Sequence, residues 1–408
     1  MKEIDGSVVK RVQILDKILM CMLYVIQACA LGFVMAYLLD KGCTSSEVGV
    51  LSAGFAILTA VLQPVLGRLA DRSQYFDWKK QLLIISVGVE VTAVLALIFQ
   101  TKTASAILFG LFMVGVNCMN PFVFASPFYY ERYGIKVDFG KIRALGSISY
   151  ALGSYAMGVL IRSFGNTAVP YAVVVTCAIF AVIVYLLPRF EDKPLSLVKK
   201  RKENPEGKLI EEENRGFFAK KYPTFIAMVI AVFLILYEQN VASAYLTQIV
   251  NHAGGDTHTV GVCGAIGAFC EVPMIFFFSK LAEKFTVDRM ILFGAIGFLI
   301  RMIVFLFANN VPMALFGSAL SGISFAIIAP AIVYYADHNV DTEDKNTAQS
   351  YMAMALMVSG IAANLISGVV YDNLGYSAMI LVAIVIGVLG ILFTMAAIRK
   401  GNAAKREN

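Results

Sequence analysis

Long apolar stretches alternate with short polar ones along the whole chain. Twelve stretches are long enough to cross a bilayer as helices, because about 20 residues cover roughly 30 Å of hydrocarbon. In the first half they are 18–39, 48–66, 82–99, 106–129, 144–161 and 169–187. In the second half they are 225–249, 260–278, 290–307, 311–335, 348–371 and 377–398. They are too long for membrane strands and lack the period-two alternation of strands. The pattern predicts an all-α membrane protein with twelve transmembrane helices. The first stretch exceeds the apolar region of a cleavable signal and lacks a small-residue cleavage site, so it reads as the first span.

The polar connections carry an orientation. Lys2, Lys10, Arg11 and Lys17 precede the first span, and Arg68, Arg72, Lys79 and Lys80 follow the second. Arg132, Lys136, Lys141 and Arg143 lie in the fourth connection, Lys199 to Lys202 in the sixth, and Arg399, Lys400, Lys405 and Arg406 in the tail. The opposite connections hold only Lys41, Lys102 and Arg162. Basic loops stay inside, so both termini are expected in the cytoplasm of a multi-pass protein of the inner or plasma membrane. The net charge of +6 is this bias, and no nucleic-acid motif accompanies it. Residues 189–221 are charged and poor in apolar side chains, which predicts a cytoplasmic linker between a bundle at 1–188 and another at 222–408. A short amphipathic surface helix at 209–217 fits within it.

The two halves repeat. Val48-Gly49-Val50 recurs 212 positions later as Val260-Gly261-Val262, and Leu69-Ala70-Asp71-Arg72 recurs at that offset as Leu281-Ala282-Glu283-Lys284. Gly158-Val159 and Gly165 recur 210 positions later as Gly368-Val369 and Gly375. Parallel six-helix halves related by an axis along the membrane normal are what a rocking transporter needs, with its solute site between them near mid-membrane.

Composition supports the class: 59% of the 408 residues are hydrophobic and 15% charged, against about half and a quarter in soluble domains. The seven cysteines have no metal-ligand spacing and read as small apolar fillers. No nucleophile, metal set or phosphate loop favours an enzyme or an ATP-driven pump. The expected driving force is a proton gradient, with no cofactor.

Burying a charge in a span costs several kcal/mol, so each one needs a reason. Glu90, Glu238, Glu271 and Arg301 stand well inside the runs, and Arg143 stands at the start of the fifth. Glu271 is the strongest proton-coupling candidate, because a carboxylate among apolar walls can hold a proton near neutrality and lose it as its surroundings change. Arg301 is either its switching partner or half of a permanent ion pair. Glu238-Gln239-Asn240 suits either hydrogen bonding to a polar solute or a closed interhelical network. Glu90 is set to pair with Arg143 or Arg301. Asn120, Asn117 and Gln27 are weaker cavity candidates, since amides also glue helices together.

Gly67-Arg68-Leu69-Ala70-Asp71-Arg72, followed by Lys79-Lys80, resembles the loop between spans two and three that marks the major facilitator superfamily. The resemblance implies a cytoplasmic gate at Gly67, Asp71, Arg72 and Lys79; the plainer reading is that these charges hold the loop inside. DFGKIRALGS from Asp138 to Ser147, Tyr237-Glu238-Gln239, Glu271, Arg301 and GVVYDNLGY from Gly368 to Tyr376 are similar to the branch containing lactose permease, nucleoside–proton symporters and phenylpropionate transporters. That likeness implies proton symport, with Arg143 on the solute and Glu271 near both solute and proton. The chain departs from lactose permease at the galactoside site. Pro127 stands for its span-four glutamate, Tyr150 for its stacking tryptophan and Ser321 for its span-ten histidine, and a lysine partner for the span-seven acid is absent.

The expected function is proton-coupled uptake of a small polar organic solute by a monomer. Arg143, Tyr150, Glu238, Gln239, Asn120 and Gln27 would bind the solute, while Glu271, Arg301 and Glu90 would couple protons. Drug or metabolite efflux is the alternative transport reading. A non-transporting sensor or scaffold is the alternative of another class.

Overall fold

A computed structural model describes residues 6–72, 78–131, 133–135, 139–188, 215–341 and 344–407; the side chains at 68, 70–72, 139–141, 215–217, 279, 346 and 401–407 fall outside the description. Of the expected linker, residues 189–214 lie outside the described residues and the rest is a short helix, Arg215–Lys221. Most of the amphipathic helix expected at 209–217 lies outside the described residues as well.

The described residues form helices and no strand. In hydrocarbon every backbone N–H and C=O must be satisfied within the chain, and a helix does this segment by segment. Six spans make the first half: α1 (Gly6–Asp40), α2 (Ser45–Arg72), α3 (Trp78–Ile98), α4 (Lys102–Glu131), α5 (Phe139–Phe164) and α6 (Ala168–Leu186). The second half begins with α7 (Pro223–Ala244), α8 (Thr257–Lys284), α9 (Val287–Leu306) and α10 (Val311–His338). One continuous helix, Lys345–Glu407, carries the last two spans, divided at Gly375, whose φ of 83° breaks the helical course. We call them α11 (345–374) and α12 (376–407). With ψ of −178°, Gly375 lies in a region essentially confined to glycine, where another residue would cost about 1–3 kcal/mol.

The first span starts twelve residues earlier than its apolar run, at Gly6 rather than residue 18. Val12, Asp16 and Leu19 are all buried, so the helix continues inward packing through a stretch whose charges hide it from a hydropathy reading. Large apolar side chains face outward instead, with Phe276 75% and Leu374 71% exposed, as lipid-facing positions should be.

Among the described residues, three spans are interrupted: the first, the seventh and the tenth. In α1 a 3₁₀ turn occupies Leu31–Phe33, and in α10 another occupies Leu320–Ile323. The α7 helix stops at Tyr245 and resumes as Leu246–His252. Pro121 and Pro127 lie within α4, each removing a backbone donor.

With an even number of spans, both ends of the chain lie at one end of the bundle. The halves meet at the opposite end, called here the far end. Two crossings repeat one geometry. At α2 and α11, a Cβ on Gly49 would fall 2.2 Å from the Asn364 carbonyl oxygen, and one on Gly368 would fall 2.8 Å from the Ser45 carbonyl oxygen. At α8 and α5, a Cβ on Gly261 would fall 2.6 Å from the Ser154 carbonyl oxygen and 2.8 Å from the Gly158 Cα. These four glycines are the ones the sequence repeat pairs. Only glycine permits such backbone approach. The turns repeat too: Gly42 and Gly254 have φ of 83° and 77°, and Gly165 and Gly375 have 73° and 83°.

Polar contacts clasp the same end. The Ser45 and Ser46 amides donate to Asp372 Oδ1 and Oδ2 at 3.2 and 2.6 Å. Gln248 Nε2 donates to Ser45 Oγ at 3.0 Å, and Ser154 Oγ donates to the Gly261 carbonyl at 3.1 Å. Asp372 thus places a carboxylate on the N-terminus of a helix from the other half, where free amides and the helix dipole favour it. Asp372→Ala should shift the molecule toward far-end opening by about 1–3 kcal/mol, roughly 5–150-fold. Spin labels at positions 101 and 309, on exposed far-end turns of different halves, should report a longer separation in that variant.

Candidate functional site

The irregular helices leave polar side chains in the interior. From the first half, Arg143 enters on α5. Its Nη1 donates to Ser147 Oγ one turn on at 3.0 Å, and its guanidinium lies 4.9 Å from the centre of the Tyr24 ring on α1. Tyr150 follows two turns later, half-buried, with its hydroxyl directed at Gly32 beside the α1 break. Gln27 of α1 donates to Asn120 Oδ1 of α4 at 2.6 Å. Asn117 is occupied by its own helix, its Nδ2 donating to the Met113 carbonyl at 2.9 Å.

From the second half, Glu271 of α8 accepts a hydrogen bond from Ser321 Oγ, in the 3₁₀ turn of α10. Across the boundary, Tyr24, Tyr150 and Arg143 lie within electrostatic reach of Glu271. Arg301 of α9 is 6% exposed. Its Nη1 donates to Gln239 Oε1 at 2.8 Å, its guanidinium lies 5.4 Å from the Phe305 ring, and its Nε has no partner. Gln239 also donates to Ser243 at 3.1 Å. Asn240 Nδ2 donates to the Leu236 carbonyl and to Ser359 Oγ, at 2.9 and 3.3 Å.

Arg143, Tyr150, Glu271, Arg301 and Gln239 therefore share one neighbourhood across the two halves. Neither arginine lies within 4.0 Å of Glu271 as an ion pair. The permanent Glu271–Arg301 bridge that the sequence left open is not formed, and serine and glutamine hold these charges instead. Each keeps unused capacity, since a guanidinium has five donors and a carboxylate about four acceptor positions.

Two expected residues stand apart from these contacts. Glu238, expected among the solute contacts, is fully buried between α7 and α12, within electrostatic reach of Arg301. Neither of its carboxyl oxygens has a hydrogen-bond partner, and Gly387 packs so closely that a Cβ there would fall 2.2–2.5 Å from the carboxyl atoms. Glu238 and Gln239 are adjacent, and a helix turns successive side chains about 100° apart, so only one of them faces the interior. Glu90 pairs with neither Arg143 nor Arg301; its electrostatic neighbour is Cys177 of α6.

Of the gate residues, Gly67 lies in α2, and the side chains of Asp71 and Arg72 lie outside the described residues. Lys79 donates to the carbonyls of Tyr185, at 3.0 Å, and Leu187. Arg11 donates to the Leu186 carbonyl at 3.2 Å. These cations cap the exposed C-terminus of α6 within one half.

The sequence does not mark Tyr24, Ser147 or Ser321 as partners of these charges. A tyrosine or serine in an apolar run carries no sign of what it will face. Asp16 escaped because the first span begins before its hydropathy does.

The MFS_1 like family model matches residues 15–382. The chain is 24% identical over 379 residues to the quinolone resistance protein NorA of Staphylococcus aureus (strain MSSA476), covering 90% of this chain and 91% of that protein. It is 22% identical over 362 residues to the maltose permease of Geobacillus stearothermophilus, covering 86% and 85%. Among solved structures, the nucleoside transporter NupG superposes with a TM-score of 0.77 at 14% identity, covering 95% of this chain and 98% of that one.

The Glu238–Gly387 contact is testable. Gly387→Ala should lower stability by about 1–3 kcal/mol through overpacking. Combining it with Glu238→Ala should recover part of that loss, giving a coupling energy of about 1–2 kcal/mol in a thermal-unfolding double-mutant cycle.

Proposed function

We propose proton-coupled uptake of a small polar organic solute for this chain, which belongs to the MFS_1 like family of the major facilitator superfamily and is a multi-pass secondary transporter, not an enzyme. One observation carries the reading. Arg143 from one half and Glu271 from the other face a common interior, each contacting a serine hydroxyl rather than the other. A solute with an anionic or hydroxyl-rich group meets donors on Arg143 and acceptors on Glu271, and Tyr150 offers a ring for stacking. Sugars, nucleosides and aromatic acids all meet that description.

The mechanism follows from alternating access. The bundles at 1–188 and 222–408 rock about the central site, with the far end closed in this conformation. A protonated Glu271 is neutral and releases its hold on nearby cations; on losing the proton it draws Arg301 or Arg143. Arg301 can leave Gln239 to meet it, which ties proton loss to rearrangement at the solute contacts. In this reading both termini are cytoplasmic, the membrane is the cell membrane, the working unit is a monomer and no cofactor takes part.

Export is the second reading, favoured by the 24% identity to a quinolone resistance protein over 379 residues, 90% of the chain. The polar Arg143–Glu271 pair weighs toward polar solutes over hydrophobic drugs.

Reconstituted proteoliposomes with an inward proton gradient, screened with sugars, nucleosides and aromatic acids, test this. Wild type should accumulate one class. Glu271→Gln should cut gradient-driven accumulation by at least about fivefold, the lower end of ordinary coupling free energies, while solute exchange continues. Normal accumulation by that variant would refute the proton assignment, and accumulation only under an outward gradient would favour export.

A further inference from the structure

The transport reading leaves one buried acid of the first half without a role. Asp16 lies in α1 with 1% of its surface exposed. Its Oδ1 contacts Ser126 Oγ of α4, and that same hydroxyl donates to the Val123 carbonyl at 2.9 Å. Its Oδ2 has no partner.

Burial decides the state of this acid. Ser126 Oγ has one hydrogen, which it can give to Asp16 Oδ1 or to the Val123 carbonyl, and neither arrangement satisfies Oδ2. An ionised carboxylate with one bare oxygen in an apolar site costs several kcal/mol, which favours the protonated acid.

Among the described residues, none supplies a compensating charge. On α1 itself, Lys17 is exposed, and Arg11 is engaged with the Leu186 carbonyl. On α4, Tyr130 is the titratable neighbour, and its hydroxyl donates to the Pro188 carbonyl at 3.1 Å. On α5, Arg143 is held at Ser147 and Tyr24. On α6, the carbonyls of Tyr185 and Leu187 are held by Lys79. Among the described residues no cation pairs with Asp16.

We propose that Asp16 and Ser126 form a proton-binding site in the first half, loaded in the far-end-closed conformation and separate from Glu271. The site sits on the seam between α1 and α4. Further along that seam Gln27 and Asn120 join the same two helices. A solute that draws on Gln27 or Asn120 shifts α1 against α4 and admits water at Asp16. The carboxyl group then gives its proton to water, leaving a solvated carboxylate. This link to solute rests on the transport reading; the proton on Asp16 does not.

Infrared difference spectroscopy on the purified protein in lipid nanodiscs tests the site without transport. Wild type should show the carbonyl-stretch band of a protonated carboxylic acid that is absent from Asp16→Asn and retained in Glu271→Gln. Asparagine keeps the shape, and its amide can donate to Ser126, so this variant should fold. Ser126→Ala removes the hydroxyl that contacts Oδ1 and should shift the same band. An Asp16→Asn spectrum with every wild-type acid band intact overturns the proposal. Should Asp16→Asn not fold, unmoved acid bands in Ser126→Ala overturn it equally. The wild-type accumulation assay and Glu271→Gln judge the transport reading separately, so each can fail alone.

Discussion

Inside a bilayer there is no water to satisfy a broken backbone hydrogen bond, and this constraint organises the protein. It makes the spans helical, and it allows a helix to break only where protein or a hydrated interior can supply the missing partners. The breaks of α1, α7 and α10 therefore mark the polar interior. Beside them stand Gln27, Asn120, Gln239 and Ser321, the side chains that hold one another or the buried charges. The breaks of α1 and α7, at Phe33 and Tyr245, fall at equivalent positions of the two halves, as duplication requires.

A second constraint acts where the halves touch. Close backbone approach needs residues without side chains, and the repeat supplies glycines in matched pairs, Gly49 with Gly261 and Gly158 with Gly368. The α2–α11 and α5–α8 crossings are thus two copies of one contact related by pseudo-symmetry. The polar clasp breaks the symmetry. Asp372 grips the amide end of α2, while the residue 210 positions earlier is Arg162, a side chain of the opposite charge. The two crossings can therefore carry unequal strength, which suits a molecule that must open at this end and close again.

The buried charges follow a common rule of weak restraint. Arg143, Glu271 and Arg301 are each held by a neutral side chain and left short of a full ion pair. A tight buried salt bridge would be hard to separate within a transport cycle, because removing one partner strands the other. Serine and glutamine contacts are cheaper to exchange. The loss of the span-ten histidine expected from the lactose permease branch fits this picture, since Ser321 now supplies the contact to Glu271.

The sequence by itself determined the twelve helices, the duplication and the family, because hydropathy, repeat offset and loop motifs are local or periodic signals. It also selected Arg143, Glu271 and Arg301, because charges among apolar residues stand out wherever they point. What it did not contain was direction. Whether Glu238 or its neighbour Gln239 faces the interior depends on how α7 is rotated against α12, and Gly387 decides that from 149 positions away. Whether Glu271 meets Arg301 or Ser321 depends on the depth at which α10 unwinds. Asp16 needed tertiary structure twice: once to extend α1 through a charged stretch, and once to bring Ser126 of α4 against it. Side-chain partners across helices are set by packing between distant segments, and a single chain of letters records that packing only where glycine marks the closest approach.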